Sequence, residues 1–224
     1  WGLLSEGTTP STHLEALTLL DQPSRRASTL GLIAWYCPIA QSGGLRFSAD
    51  TEVEPLRRSD GGAYIVDWTS EQHLTGGWLP ARAPTAVFAR KVEPRRERIR
   101  VTRDGGRLHV VNGLGANIVS LWLADRDGRI YKGLQIPAGK EAALDAQGVR
   151  VSATPTLTRA SGLESDAWGA AWESLTANPA AALRPGEYFA LLEDSPFLES
   201  GLDGRQKAQR RARVLGTLGP EDLP

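Results

Sequence analysis

From residue 14 onward, short apolar runs alternate with turn residues. Leu14-Glu15-Ala16-Leu17-Thr18-Leu19-Leu20 is followed by Asp21-Gln22-Pro23-Ser24, and then by Thr29-Leu30-Gly31-Leu32-Ile33-Ala34-Trp35-Tyr36. Runs of this length, bounded by Gly, Pro and Asp and containing β-branched and aromatic residues, predict strands. Residues 45–48, 63–68 and 85–90 continue the series, with turns at Ser42-Gly43-Gly44 and Ser59-Asp60-Gly61-Gly62. The clearest local signals are two hairpins. Residues 98–101 return as 108–111 across Asp104-Gly105-Gly106, where glycine supplies the positive φ that a tight turn needs. Residues 118–123 return as 129–132 across Asp125-Arg126-Asp127-Gly128. Further short strands are predicted at 141–144, 149–151, 187–192 and 214–218. Turn signals roughly every 8–12 residues are those of antiparallel sandwiches.

The period changes once. Trp168, Trp172 and Leu175 fall at i, i+4 and i+7, and Ser165 can cap the first turn, so an amphipathic helix is predicted near 165–177, ending before Pro179. Residues 204–213 are strongly basic and read as a short helix or a solvated arm. The alternation breaks at Arg90 to Glu97, where Pro94 interrupts. That places a boundary between an N-terminal domain, 1–92, and a second domain, 93–224. The fold class expected is mainly β, with two tandem antiparallel β-sandwich units and one short inserted helix.

Composition narrows the chemistry. The 26 basic residues equal the 26 acidic ones in a chain of 224 residues that is 41% apolar. Such a chain can bury a core, and its neutrality argues against nucleic acid as a partner. It has no Met, so it is expected to be a cut or processed piece of a longer protein. A lone Cys37 forms no internal disulfide, and three scattered histidines, His13, His73 and His109, show no zinc spacing. Asp125-Arg126-Asp127-Gly128 lacks the later ligands of a calcium loop, and Gly113-Leu114-Gly115 leads into a strand rather than a phosphate-binding helix. No cofactor and no metal are expected.

Three candidate sites remain. Asp67, Ser70 and His73 place a carboxylate, a hydroxyl and an imidazole within seven residues, the parts of a hydrolase. Of the seven Trp, Trp35, Trp68, Trp122, Trp168 and Trp172 sit in apolar patterns and are expected in the core. Trp78 instead follows Thr75-Gly76-Gly77 and precedes a Pro-punctuated loop, which would present it with Arg82 to a partner or to a sugar ring. Arg205, Lys207, Arg210, Arg211 and Arg213 form the purest basic cluster, suited to an anionic partner.

The hairpin at Asp125-Arg126-Asp127-Gly128, the strand entry Pro137-Ala138-Gly139-Lys140 and the closing Pro185-Gly186-Glu187-Tyr188 resemble immunoglobulin-like β-sandwich modules in extracytoplasmic parts of bacterial membrane-anchored proteins. The resemblance covers under a third of the chain and brings no functional residues. It implies an immunoglobulin-like second domain, a parent chain anchored in a membrane, and a place in the periplasm or at the cell surface. The function expected is a noncatalytic interaction or scaffolding module that binds protein or glycan. The alternatives are a hydrolase using residues 67–73 and a carbohydrate-binding module presenting Trp78.

Overall fold

A computed structural model describes residues 9–56, 63–151 and 177–222. Fourteen strands dominate them. Eleven follow one hydrogen-bonded order, β4-β7-β2-β1-β14-β13-β10-β11-β12-β9-β8, and three form a small sheet, β3-β6-β5. The strands are β1 (Ser11–Asp21), β2 (Arg26–Tyr36), β3 (Leu45–Phe47), β4 (Thr51–Pro55), β5 (Val66–Asp67), β6 (Gln72–Leu74), β7 (Pro84–Pro94), β8 (Arg98–Asp104), β9 (Arg107–Gly113), β10 (Ile118–Ala124), β11 (Arg129–Ile136), β12 (Glu141–Arg150), β13 (Glu187–Leu192) and β14 (Lys207–Thr217). The mainly β class holds. The helix predicted near 165–177 falls, apart from residue 177, outside the described residues. A single helical turn, α1 (Pro179–Ala182), is capped by Asn178, whose side chain accepts from the Ala181 amide.

The chain folds into two compact units that are not consecutive segments. The first takes Trp1–Thr18, Arg26–Arg95 and Glu193–Ala212; the second takes Leu19–Arg25, Arg96–Leu192 and Arg213–Pro224.

In the first unit, β7 pairs with β2 over eleven residues, from Arg26 opposite Pro94 to Tyr36 opposite Pro84, and with β4 on its other side. Period-two alternation sends Leu14, Ala16, Ile33, Trp35, Val87 and Ala89 inward. The segment after Glu193 returns across this face. Gly31 makes room for it, since a Cβ there would lie 2.3 Å from Leu198 Cδ2. Trp35 Nε1 donates to the Ser200 carbonyl at 3.0 Å, and the Arg46 amide donates to Gly201 at 2.7 Å.

Alternation along β7 also carries Lys91 inward, where it is 8% exposed. Glu199 answers it. Its Oε2 accepts from Lys91 Nζ at 3.0 Å, while Oε1 accepts from the Ser48 amide at 3.0 Å, the Ser48 hydroxyl at 2.7 Å and the Thr51 hydroxyl at 2.8 Å. Burial works against ionisation of Glu199. The Ser48 hydroxyl and amide, with its own amide and Lys91, outweigh it and hold the carboxyl at about 2 rather than 4.5.

In the second unit, β8 and β9 form the predicted hairpin, with Gly105 and Gly106 at φ of 52° and 83°. The β10–β11 hairpin turns at Asp125, which is 2% exposed; its carboxylate accepts from the Arg129 amide at 2.8 Å and the Tyr131 hydroxyl at 3.2 Å. The stretches predicted as separate strands at 141–144 and 149–151 are one strand, β12. Its first four residues pair with β9, and later ones, including Asp145 and Ala146, pair with β11. β8 ends the sheet order, and Gln22 covers part of its edge. The amide side chain donates to the Ile99 carbonyl at 3.2 Å and accepts from the Ile99 N–H at 2.8 Å, imitating one residue of a neighbouring strand.

Two outcomes follow. Glu199 ionises more readily in the folded than in the unfolded chain, so its stabilising contribution is complete above pH 4.5 and is lost as pH falls toward about 2. Urea midpoints measured from pH 6 to pH 2 should fall over that window, and less steeply for Glu199→Gln. Gln22→Ala leaves the fully buried Ile99 with unpaired backbone groups. It should cost about 1–3 kcal/mol in urea unfolding and speed hydrogen exchange at the Ile99 amide.

Candidate functional site

The small sheet β3-β6-β5 belongs to the first unit and has two unlike faces. Leu45, Phe47, Gln72 and Leu74 are buried, while Arg46, His73 and Asp67 line up across the three strands on the other face. Asp67 and His73 are directly opposed, so the structure does bring together two of the three groups considered for a hydrolase. It does not wire them for catalysis. Asp67 Oδ1 accepts from the Thr69 amide at 2.9 Å and the Thr69 hydroxyl at 2.5 Å, and His73 Nε2 donates to the Gly43 carbonyl at 2.7 Å. Ser70 lies in the exposed bend that follows and makes no hydrogen bond to His73. Asp67, Ser70 and His73 thus do not form a chain of nucleophile, base and orienting group.

The same face carries an ion-pair cluster. Arg46 Nη1 lies 2.5 Å from Glu71 Oε1, and Arg46 Nε lies 3.7 Å from Asp203 Oδ2. The Thr69 hydroxyl and amide hold the Asp67 carboxyl below its ordinary range, so this exposed group stays ionised. Among the described residues no group of three or more His, Cys, Asp or Glu is placed to hold a metal ion.

The tryptophans exchange the places expected of them. Trp78 is not presented to solvent: it is 4% exposed, its Nε1 donates to the Ile65 carbonyl at 3.2 Å, and its ring lies 4.5 Å from that of Tyr64. The Gly76-Gly77 pair that suggested a projecting loop instead permits close approach. Ile65 N–H bonds to the Gly76 carbonyl, and a Cβ on Gly77 would lie 2.6 Å from the Ala63 carbonyl oxygen. Arg82 is exposed, with a left-handed φ of 57° and its amide bonded to the Cys37 carbonyl at 2.7 Å. Trp68, expected in the core, is 58% exposed, and Ile65 is 55% exposed. The reason is local. Strand β5 is only two residues long, and the Asp67–Thr69 bonds bend the chain as Trp68 is reached, so the strand's alternation no longer governs that side chain. A polar Asp-x-Thr immediately around the Trp was the available signal. Trp35 is buried as expected, Trp122 is half-buried beneath Lys132, and Trp168 and Trp172 lie outside the described residues.

The basic run at 204–213 is neither a helix nor an arm, because Lys207 onward is strand β14. Arg205, Lys207 and Arg211 are exposed. Arg210 is half-buried, 3.4 Å from the Ser200 hydroxyl and 3.9 Å from Asp194, and Arg213 is buried. Strand pairing and alternation thus divide a cluster that looks continuous in sequence. Among the described residues no helix is long and apolar enough to cross a membrane.

No protein-family model matches the chain, and no curated protein does. Among solved structures it is similar to the mu-homology domain of yeast delta-COP-I, both alone and complexed with a Dsl1 WxWxV peptide. Identity is 8% in each case, covering 94% of this chain and 97% of that one, with TM-scores of 0.35 and 0.33. No residue role is carried over from so distant a likeness. The resemblance to immunoglobulin-like ectodomains of bacterial membrane proteins is corrected, because the structural neighbours are mu-homology domains. The segments that suggested it are present as the β10–β11 turn, the entry to β12 and the start of β13. They are local turn chemistry that any antiparallel sheet uses, and so they do not specify one fold family.

Burial separates the two tryptophans experimentally. Trp78→Ala should lower unfolding free energy by about 3–5 kcal/mol, whereas Trp68→Ala should stay within about 0.5 kcal/mol of the parent in urea unfolding.

Proposed function

We propose that this chain is a noncatalytic interaction module that docks a protein partner on the β3-β6-β5 face of its first unit. The observation that carries the reading is Trp68, a large aromatic side chain that is 58% exposed beside a hydrogen-bonded turn. Tryptophan anchors that become buried on binding supply much of the energy of protein interfaces. Ile65, 55% exposed and three residues away, adds apolar surface. The polar row Arg46, His73 and Asp67 supplies the kind of rim that fixes orientation. Asp67, Ser70 and His73 take structural and rim roles in this reading. Trp78 is a core residue, so the sugar-platform reading that rested on it is not carried forward.

A photo-crosslinking residue at exposed Ser70, with Trp68 intact, tests the proposal in extracts of the source cells. A discrete protein adduct is expected, reduced at least roughly tenfold by Trp68→Ala and unaffected by Arg126→Ala, an exposed turn residue of the second unit. The same adduct at undiminished yield with Trp68→Ala, or no protein adduct at all, overturns the reading.

A further inference from the structure

We infer that the segment docking beside Trp68 is a basic one, seating a Lys or Arg side chain over the indole ring with Asp67 as its counter-charge. The inference rests on the docking reading above and adds the chemistry of the partner. Its ground is a pattern within the chain. Two aromatic rings carry a cation: Lys132 Nζ lies 4.5 Å from the centroid of the half-buried Trp122, and the Arg95 guanidinium lies 5.4 Å from that of the buried Phe197. Trp68 is more exposed than either, and among the described residues no cation sits over its ring. The face of an indole is electron-rich, so an uncovered one favours a cation, with Trp the strongest of the aromatic acceptors.

The surrounding charges favour the same occupant. Arg46, on this face, is already paired with Glu71 and Asp203. Asp67, adjacent to Trp68, is held ionised by donors that carry no charge, the amide and hydroxyl of Thr69. Arg46 and His73 also act on Asp67 across the sheet, yet three carboxylates, Asp67, Glu71 and Asp203, face the guanidinium of Arg46, so this face carries an excess of negative charge. A guanidinium or ammonium group answers both features, whereas an acidic segment would meet repulsion from Asp67, Glu71 and Asp203. The Asp67–Thr69 bonds hold the backbone on either side of Trp68, which lowers the ordering cost of binding.

The test is titration of the intact chain with the capped peptide Gly-Arg-Gly-Arg-Gly-Arg-Gly and with its Gln and Glu counterparts. The readout is the indole N–H resonance of Trp68, assigned by its loss in Trp68→Phe. The Arg peptide should shift that resonance saturably, with affinity falling roughly 3- to 30-fold in Trp68→Ala, followed there through the backbone amide of Thr69. Asp67→Asn keeps an acceptor for Thr69 while removing the charge, and should weaken binding roughly twofold or more, as should raised salt. Equal affinity for the Gln or Glu peptide overturns the inference, and so does an Arg peptide that leaves the Trp68 resonance unmoved. Either result leaves the cross-linked adduct and its dependence on Trp68 standing. Loss of that dependence is what sinks the docking reading itself.

Discussion

Lys91 is carried into the interior by the alternation of a strand that can place it nowhere else, and the first unit is organised around satisfying it. A buried ammonium without a carboxylate would be strongly destabilising. Glu93 and Asp50 lie 3.6 and 3.9 Å from Lys91 Nζ, and Glu199, at 3.0 Å, comes from a segment more than a hundred residues further along the chain and collects the Ser48 amide and the Ser48 and Thr51 hydroxyls at the same time. One carboxylate therefore joins β7, the turn between β3 and β4, and the returning stretch after β13. The neighbouring contacts of that stretch, Leu198 against Gly31 and Ser200 on Trp35, are apolar and hydrogen-bonding consequences of the same placement.

The position of the returning stretch also frames the candidate docking face. Gly201 receives the Arg46 amide and Asp203 lies near the Arg46 guanidinium, so the small sheet is held at one edge by residues from the end of the chain. Its inner face is then buried and its outer face left polar, with Trp68 beyond the end of β5. The proposed docking surface is in this sense a by-product of how the core is closed. The aromatic is outside because a two-residue strand and an Asp-x-Thr turn leave it no inward position.

Period-two alternation was legible wherever strands were long and one-sided. β1, β2 and the β8–β9 and β10–β11 hairpins follow from the order of apolar, polar and glycine residues, because side chains on successive strand residues point to opposite faces. Short elements were not legible. Trp68 and Trp78 lie in stretches where strands run two or three residues, too few for a pattern to declare a face, and there the side chains go where backbone pairing sends them. The basic residues from 205 to 213 were read as one cluster since charge in a sequence has no face. A strand gives it two, leaving Lys207 and Arg211 exposed and Arg213 buried. The immunoglobulin-like resemblance failed for a related reason, since turn motifs recur wherever antiparallel strands must reverse.

By itself, then, the amino-acid order determined that this is a mainly β chain and where most of its hairpins turn, and it carried no metal-ligand or nucleotide-binding spacing. These are consequences of local stereochemistry, which a few neighbouring residues settle. Only the tertiary structure decided that residues 193–212 belong with residues 26–95, that Glu199 answers Lys91, and that Trp68 rather than Trp78 faces solvent. Those outcomes depend on which distant strands pair. That is governed by the sum of many long-range contacts, none of which leaves a periodic mark on the chain.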